Sequence, residues 1–224
     1  GVAKLLEETA RTALDRHGYI AAANALALAA RLSPDGADRI RRTLDAGHSF
    51  RLGGQAHAAN DILVDLLDVV RDPLVRADIQ LLRGSVLLMT SSMMETATML
   101  VDEAGRVEAH DPSRAASMLA LASLGAHGAA EVRLAVEFAS RAVRILQPIG
   151  GPVQMTAELV YSFALALAGR VGEARSLVEP MLPLLDVLDP LSEGGFLLVT
   201  AAHTFSWIEE WATARRIYER FIVT

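Results

Sequence analysis

Cysteine is absent from the 224 residues. That excludes a disulfide framework and a cysteine-based zinc site, and it fits a reducing compartment. Lysine is almost absent, Lys4 being the sole example, and the formal net charge is −6. A phosphate-binding surface needs clustered Lys and Arg. Here the arginines are scattered, so no direct nucleic-acid binding is expected. Local pairs such as Arg41-Arg42 and Arg215-Arg216 read as solvated helix faces. Aromatics make up only 5% of a chain that is 52% hydrophobic. Small and medium side chains of this kind pack between helices, not in the β-branched and aromatic mix of strands.

Long apolar runs are missing as well. The stretch Ala21 to Ala30 is Ala-rich, carries Asn24 and is too short to span a bilayer. No signal peptide is evident, and a cytoplasmic location with no membrane partner is expected. The chain begins with Gly1 and ends in Phe221-Ile222-Val223-Thr224. These ends read as those of a segment excised from a longer protein, a single repeat domain over residues 1–224.

Signatures of catalysis are missing too. No two of His17, His48, His57, His110, His127 and His203 stand at i, i+4 on one predicted helix with a carboxylate partner. No Ser occupies a G-x-S-x-G elbow. Pairs such as Glu7-Glu8 and Glu209-Glu210 are adjacent, so they diverge on a helix and read as exposed charges, whereas acid–base work needs convergent groups. The chain is read as a non-enzyme, with no metal site and no cofactor.

What is present is a repeat. Pro34, Pro73, Pro112, Pro152 and Pro190 are spaced by 39, 39, 40 and 38 residues. Asp72, Asp111 and Asp189 precede three of them, and Ser33 and Gly151 the others. An Asp or Ser cap followed by Pro at the first helical position is helix-start chemistry. In step with the prolines run Ala23, Ala59, Ala97, Ala135, Ala174 and Ala214. Each is followed three residues later by an apolar residue: Leu26, Ile62, Leu100, Phe138, Leu177 or Ile217. Five residues before each lies Gly18, Gly54, Ser92, Ala130, Gly169 or Glu209, mostly small and suited to a tight turn. Twelve residues before the last five lie Gly47, Ser85, Ser123, Ser162 and Ala202, which let two helices approach closely.

Each unit therefore reads as helix A, a turn and helix B. The A helices are predicted over 2–17, 35–51, 74–90, 113–127, 153–168 and 191–207. The B helices are predicted over 19–31, 55–70, 93–108, 131–147, 171–187 and 210–222. The expected fold is all-α, a right-handed solenoid of about six antiparallel helix pairs in which stacking buries the apolar faces.

The period and the small–small–apolar pattern resemble the tetratricopeptide family, with about 34 residues per unit. Gly169-Arg170-Val171-Gly172-Glu173-Ala174-Arg175-Ser176-Leu177 and Glu209-Glu210-Trp211-Ala212-Thr213-Ala214-Arg215-Arg216-Ile217 carry the resemblance best. The longer period and missing aromatics make the chain tetratricopeptide-like. A narrower resemblance lies in Ala25 to Asp35, Arg39 to Gly47, Gly54 to Ala59 and Asp78 to Gly84. These stretches look like the helical-repeat region of large LuxR-family (MalT-like) bacterial transcriptional regulators. In such regulators a signal-transducing ATPase module precedes the repeats and a helix-turn-helix domain follows them. The resemblance implies a sensory and protein-interaction segment that binds an inducer or a partner protein. A tetratricopeptide adaptor that binds a peptide outside any regulator is the alternative. No G-x-x-x-x-G-K-[ST] phosphate loop occurs in this chain.

In tetratricopeptide-like arrays the A helices supply the inner, concave face. Eleven residues before the alanine marker stand His48, Val86, Leu124, Phe163 and His203. Eight residues before it stand Arg51, Met89, His127, Ala166 and Ser206, with Trp207 beside them. The candidate partner-binding residues are His48, Arg51, Met89, His127, Phe163, His203 and Trp207. Such a face suits a peptide, a helix or a small apolar molecule with a polar head. Ordinary packing between repeats, with incidental histidines, would produce the same rows. Met89, Met93, Met94 and Met99 cluster around one hairpin, as core filler or as an adaptable surface. Ile217, Tyr218, Phe221 and Ile222 on the last helix suggest an end that packs on a second copy, a route to a homo-oligomer.

Overall fold

The computed structural model describes residues 1–34, 36–147, 149–190 and 195–222. Among them every regular element is a helix. The predicted A helices appear as α1 (Val2–Leu14), α3 (Ala37–Leu52), α5 (Pro73–Leu87), α7 (Pro112–Gly128), α9 (Pro152–Leu167) and α12 (Gly195–Trp207). Between them run the B helices α2 (Tyr19–Arg31), α4 (Ala56–Val69), α6 (Met93–Val107), α8 (Val132–Leu146), α10 (Val171–Val178) and α13 (Trp211–Glu219), with the short α11 (Leu182–Leu185) after α10. The fold class is the all-α repeat of helix pairs that the periodicity predicts. No helix among the described residues is long and apolar enough to cross a membrane.

The prolines start helices where their caps are in place. Asp72 Oδ1 accepts from the backbone N–H groups of Leu74 (2.8 Å) and Val75 (3.3 Å), with Pro73 in the first turn of α5. Asp111 Oδ1 accepts from Arg114 N–H at 2.9 Å and opens α7 in the same way. Both carboxylates satisfy donors that the helix start leaves free. Ser33-Pro34 departs from this pattern. The Ser33 hydroxyl donates back to the Ala29 carbonyl at 2.6 Å and accepts from Arg42 Nη1 at 2.5 Å. With Ser33 engaged, α3 starts only at Ala37, after Gly36 at φ 140°. The expected helix start after Asp189-Pro190 lies outside the described residues.

The turn inside most pairs is closed by a left-handed residue. Gly54 N–H donates to the Arg51 carbonyl and Gln55 N–H to that of Phe50. Ala130 with Glu131, Gly169 with Arg170, and Glu209 with Glu210 repeat this bond pair. This is the Schellman ending, which satisfies the last carbonyls of helix A. In the first pair the left-handed residue is His17, one place earlier than the predicted Gly18. The turn before α6 differs: Ser92 caps the helix, its Oγ accepting from Glu95 N–H at 3.4 Å.

The predicted single B helix over 171–187 is broken. After Val178 the chain makes a 3-10 turn (Glu179–Met181) and then the four-residue α11. Pro180 and Pro183 lack the N–H that would bond four residues back, and their rings crowd that carbonyl. The last helix ends at Glu219, short of the expected 222.

The chain divides into two compact units, Gly1–Thr96 and Ala97–Thr224. In the first, α1, α2 and α3 pack through Ala10, Ala22, Leu26 and Ala46, and a second cluster joins Ala23, Phe50, Ala59 and Val86. Gly47 lies against the Leu63 and Leu82 side chains, and an added Cβ would come within 3.3 and 3.2 Å of them. Glu7 on α1 clasps α3. Its Oε2 accepts from Arg42 Nε (3.0 Å) and Nη2 (2.9 Å), and its Oε1 lies 2.6 Å from Arg41. Arg42 is only 4% exposed. The reading of Arg41-Arg42 and Glu7-Glu8 as solvated charges therefore fails for Arg42 and Glu7. Both arginines act together to hold the Glu7 carboxyl below its ordinary range, the Arg42 hydrogen bond contributing most.

In the second unit Leu159, Val178, Leu185, Leu198, Phe205 and Ile217 form the main core. Ala135, Ala139, Val160 and Ala164 belong to a neighbouring cluster. The buried Ser123 on α7 donates to the Ala135 carbonyl on α8 at 2.8 Å, so two of the repeat markers bond directly. The last helix is covered more fully than expected. Ile217 is buried, and Tyr218 and Phe221 pack against the main core of their own unit. Ile222 stays exposed. Arg220 helps to fix this end by donating to the Leu185 carbonyl at 2.8 Å and to that of Leu188.

Candidate functional site

The sequence-derived candidates fall into both units. His127, Phe163, His203 and Trp207 belong to the second, and His48, Arg51 and Met89 to the first.

In the second unit α7, α9 and α12 are neighbours, each lending one ring at the predicted register. His127 meets Phe163 edge-on, with 5.0 Å between centroids and 77° between planes. Phe163 stacks on His203 at 5.9 Å and 26°. His203 in turn meets Tyr218 of α13 edge-on at 5.9 Å. The result is a ladder of four rings. Its middle rung, Phe163, is buried, His127 and Tyr218 are half-buried, and His203 is exposed. Trp207 stands four residues after His203 on α12, hence on the same helix face, and is 56% exposed.

Such contacts between rings favour edge-to-face and offset arrangements. They place both His127 and His203 against one apolar ring. Burial pushes the His127 imidazole below its ordinary basicity, and charge on His203 pushes it the same way. The neutral form of His127 is favoured, so it offers one donor and one acceptor. The exposed His203 and Trp207 give a polar ring and a large apolar ring to whatever lies over them. Tyr218 was not among the sequence-derived candidates. It comes from a B helix, and only its place four residues after Ala214 marks it in the sequence. Trp211, 64% exposed at the start of α13, was likewise passed over.

In the first unit His48 and Arg51 stand three residues apart on α3 and so share a face. His48 is exposed and Arg51 half-buried. Arg51 Nε is buried without a hydrogen-bond partner. Met89, just past the end of α5, is 64% exposed, while Val86 one turn earlier is fully buried. Of the methionine cluster, Met93 is also exposed. Among the described residues no group of three or more His, Asp or Glu is placed to hold a metal ion.

Two solved structures are similar to this chain in fold. Both are of the nearly identical TPR-like repeats of a Podosopora anserina protein described as a kinesin light chain, one of them a variant with a single substitution. They align with TM-scores of 0.58 and 0.57 at 17% identity, over 81% of this chain and 92% of theirs. The fold is that of TPR-like helical repeats. No family model and no curated protein matches the chain.

Proposed function

We propose that this chain is a protein-interaction repeat segment whose A-helix row receives a partner. The observation that carries the reading is the ring ladder His127–Phe163–His203 with Trp207 on the same face as His203. A buried Phe holds two imidazoles in place, and a large indole stays open to solvent beside them. Interfaces draw most of their energy from a few such rigid aromatic anchors. TPR-like repeats offer this face on successive A helices.

The finer reading places the segment in a LuxR-family (MalT-like) regulator, where it senses an inducer or a partner protein. The Ala25 to Asp35, Arg39 to Gly47 and Asp78 to Gly84 stretches support it. A peptide-binding adaptor is the second reading, favoured by the likeness to TPR-like repeats in the solved structures.

Panning a random peptide library on the protein tests the binding role. Substituting His203→Ala and Trp207→Ala together should weaken the enriched peptides at least about tenfold, the loss expected of a hot spot. Arg133→Ala, on the exposed side of α8, should leave them unchanged. Failure of any peptide to enrich, or equal binding to the double variant, overturns the proposal. Sequencing the gene on both sides separates the two contexts. A phosphate-loop module upstream and a helix-turn-helix downstream support the regulator, and their absence leaves the adaptor.

A further inference from the structure

Arg51 differs from the other arginines of its helix. Arg41 and Arg42 on α3 both pair with Glu7. Arg51, further along, makes no ion pair or side-chain hydrogen bond among the described residues, and its buried Nε has no acceptor. A buried N–H left without a partner is unfavourable, and native proteins rarely tolerate one without a reason. The chain is rich in carboxylates, with 27 Asp and Glu against 21 Lys and Arg. None of those described satisfies this donor. The position is also the one the repeat register assigns to the partner-facing row, with His48 one turn earlier on the same face.

We propose that Arg51 is the receptor for a carboxylate of the bound partner. The inference rests on the reading that the A-helix row binds a partner, and adds the chemistry it takes in the first unit. A guanidinium and a carboxylate form the charge-assisted, forked pair that a neutral ligand does not match. A phosphate carries more charge and calls for clustered cations, whereas Arg51 is a single guanidinium at this end of α3. Met89, at the matching register of the next A helix, is 64% exposed. The ligand class is therefore a carboxylate with an apolar group next to it. A partner chain supplies this as Asp or Glu beside Leu, and a small molecule supplies it as a short fatty acid.

The test follows the Nε–H resonance of Arg51 by NMR in the full chain with isotope-labelled arginine. The signal is assigned by its loss in Arg51→Gln. Sodium valerate, valeramide, the blocked peptide acetyl-Leu-Asp-Leu-amide and its Asn counterpart are titrated in turn. Saturable movement is expected with the carboxylate probes and not with the amides. Valerate binding is also measured by calorimetry, and Arg51→Lys, which keeps the charge and loses the fork, should weaken it about tenfold while its circular dichroism stays that of the parent. Binding of the peptide alone, or more tightly than valerate, assigns the site to a partner's acidic side chain. Binding of valerate as tightly or alone assigns it to a free carboxylate. An Arg51 signal that stays fixed, follows the amides equally or drifts only as the exposed Arg31 does overturns the proposal. If carboxylates move Arg51 while library peptides ignore His203 and Trp207, the anion site stands and the interaction reading of the ladder fails. If peptides need His203 and Trp207 and Arg51 stays silent, this inference alone fails.

Discussion

The His127 imidazole meets the Phe163 ring edge-on at 5.0 Å, and its burial there makes the second unit sensitive to pH. Burial, and then charge on His203, lower the basicity of His127 in the folded chain. An unfolded histidine titrates near about pH 6.5. Between the lowered folded value and that unfolded value, the unfolded chain binds more protons. Stability therefore rises with pH in this window and is fully present above it. Denaturant midpoints should fall as the pH drops from about 7 towards 5. His127→Phe should flatten that slope. An equal slope in both proteins would assign the effect to other groups.

Phe163 itself should matter more than either histidine to stability. It is buried between two A-helix neighbours, 7% exposed. Truncation removes a large apolar ring and leaves a cavity. Phe163→Ala is expected to cost about 3 kcal/mol or more. His203→Ala removes an exposed ring and should stay within about 0.5 kcal/mol. Chemical unfolding of the two variants gives both numbers, and a smaller loss for Phe163→Ala than for His203→Ala would contradict the order of burial.

Glu7 is the keystone of the first unit's charge clasp. Removing its carboxylate leaves Arg42, buried and cationic, without its closest anion. Glu7→Ala should therefore destabilise by roughly 1–3 kcal/mol, less than for a fully buried pair, because Glu7 is half-buried and Asp38 stays 3.7 Å from Arg42. Glu8→Ala, one residue on and exposed, should change little. The pH dependence runs the same way as for His127 but at lower pH. The Glu7 pKa is lowered in the folded chain. Its contribution is present above the unfolded value of about 4.3 and is lost as the pH falls through the folded one. Thermal melts of the parent and Glu7→Gln across that range should converge in acid.

Ser123 and Ala135 show why so much of this fold is legible in the sequence. Small residues recur where two helices come close, and their period follows the helix pairs because each pair meets the next in the same way. The Schellman turns at Gly54 and Gly169 are legible for a similar reason, since glycine marks a left-handed position. Pro180 and Pro183 break the helix after Val178 because neither continues the backbone ladder, and the repeat period carries no sign of this. Ser33 could not be read correctly from its neighbours, because its true partner is Arg42 on another helix. The same holds for Glu7. Its role depends on which faces of α1 and α3 come together, and no local pattern states that. At the candidate site, the register put His127, Phe163 and His203 on neighbouring A helices, and the structure shows their rings in contact. Tyr218 lies outside the candidate rows because it sits on a B helix, and the register places only A-helix residues on that face.

Ala130 tests the turn argument most directly. It holds φ 63° in the Schellman turn between α7 and α8. A residue with a Cβ pays roughly 1 kcal/mol to stay in that left-handed region, whereas glycine adopts it freely. The Ala130 N–H still donates to the His127 carbonyl, and Glu131 N–H to that of Ala126, both at 2.8 Å. Glycine keeps both bonds, because they use only the backbone. Ala130→Gly should thus stabilise the second unit, by somewhat less than about 1 kcal/mol once the greater freedom of glycine in the unfolded chain is counted. Glu209→Gly, at φ 64° in the turn before α13, should act in the same direction. Gly169→Ala, at φ 74°, should reverse the sign and destabilise by a similar amount. Unfolding midpoints for the three variants decide it. A destabilising Ala130→Gly together with a neutral Gly169→Ala would show that these turns are not governed by backbone handedness.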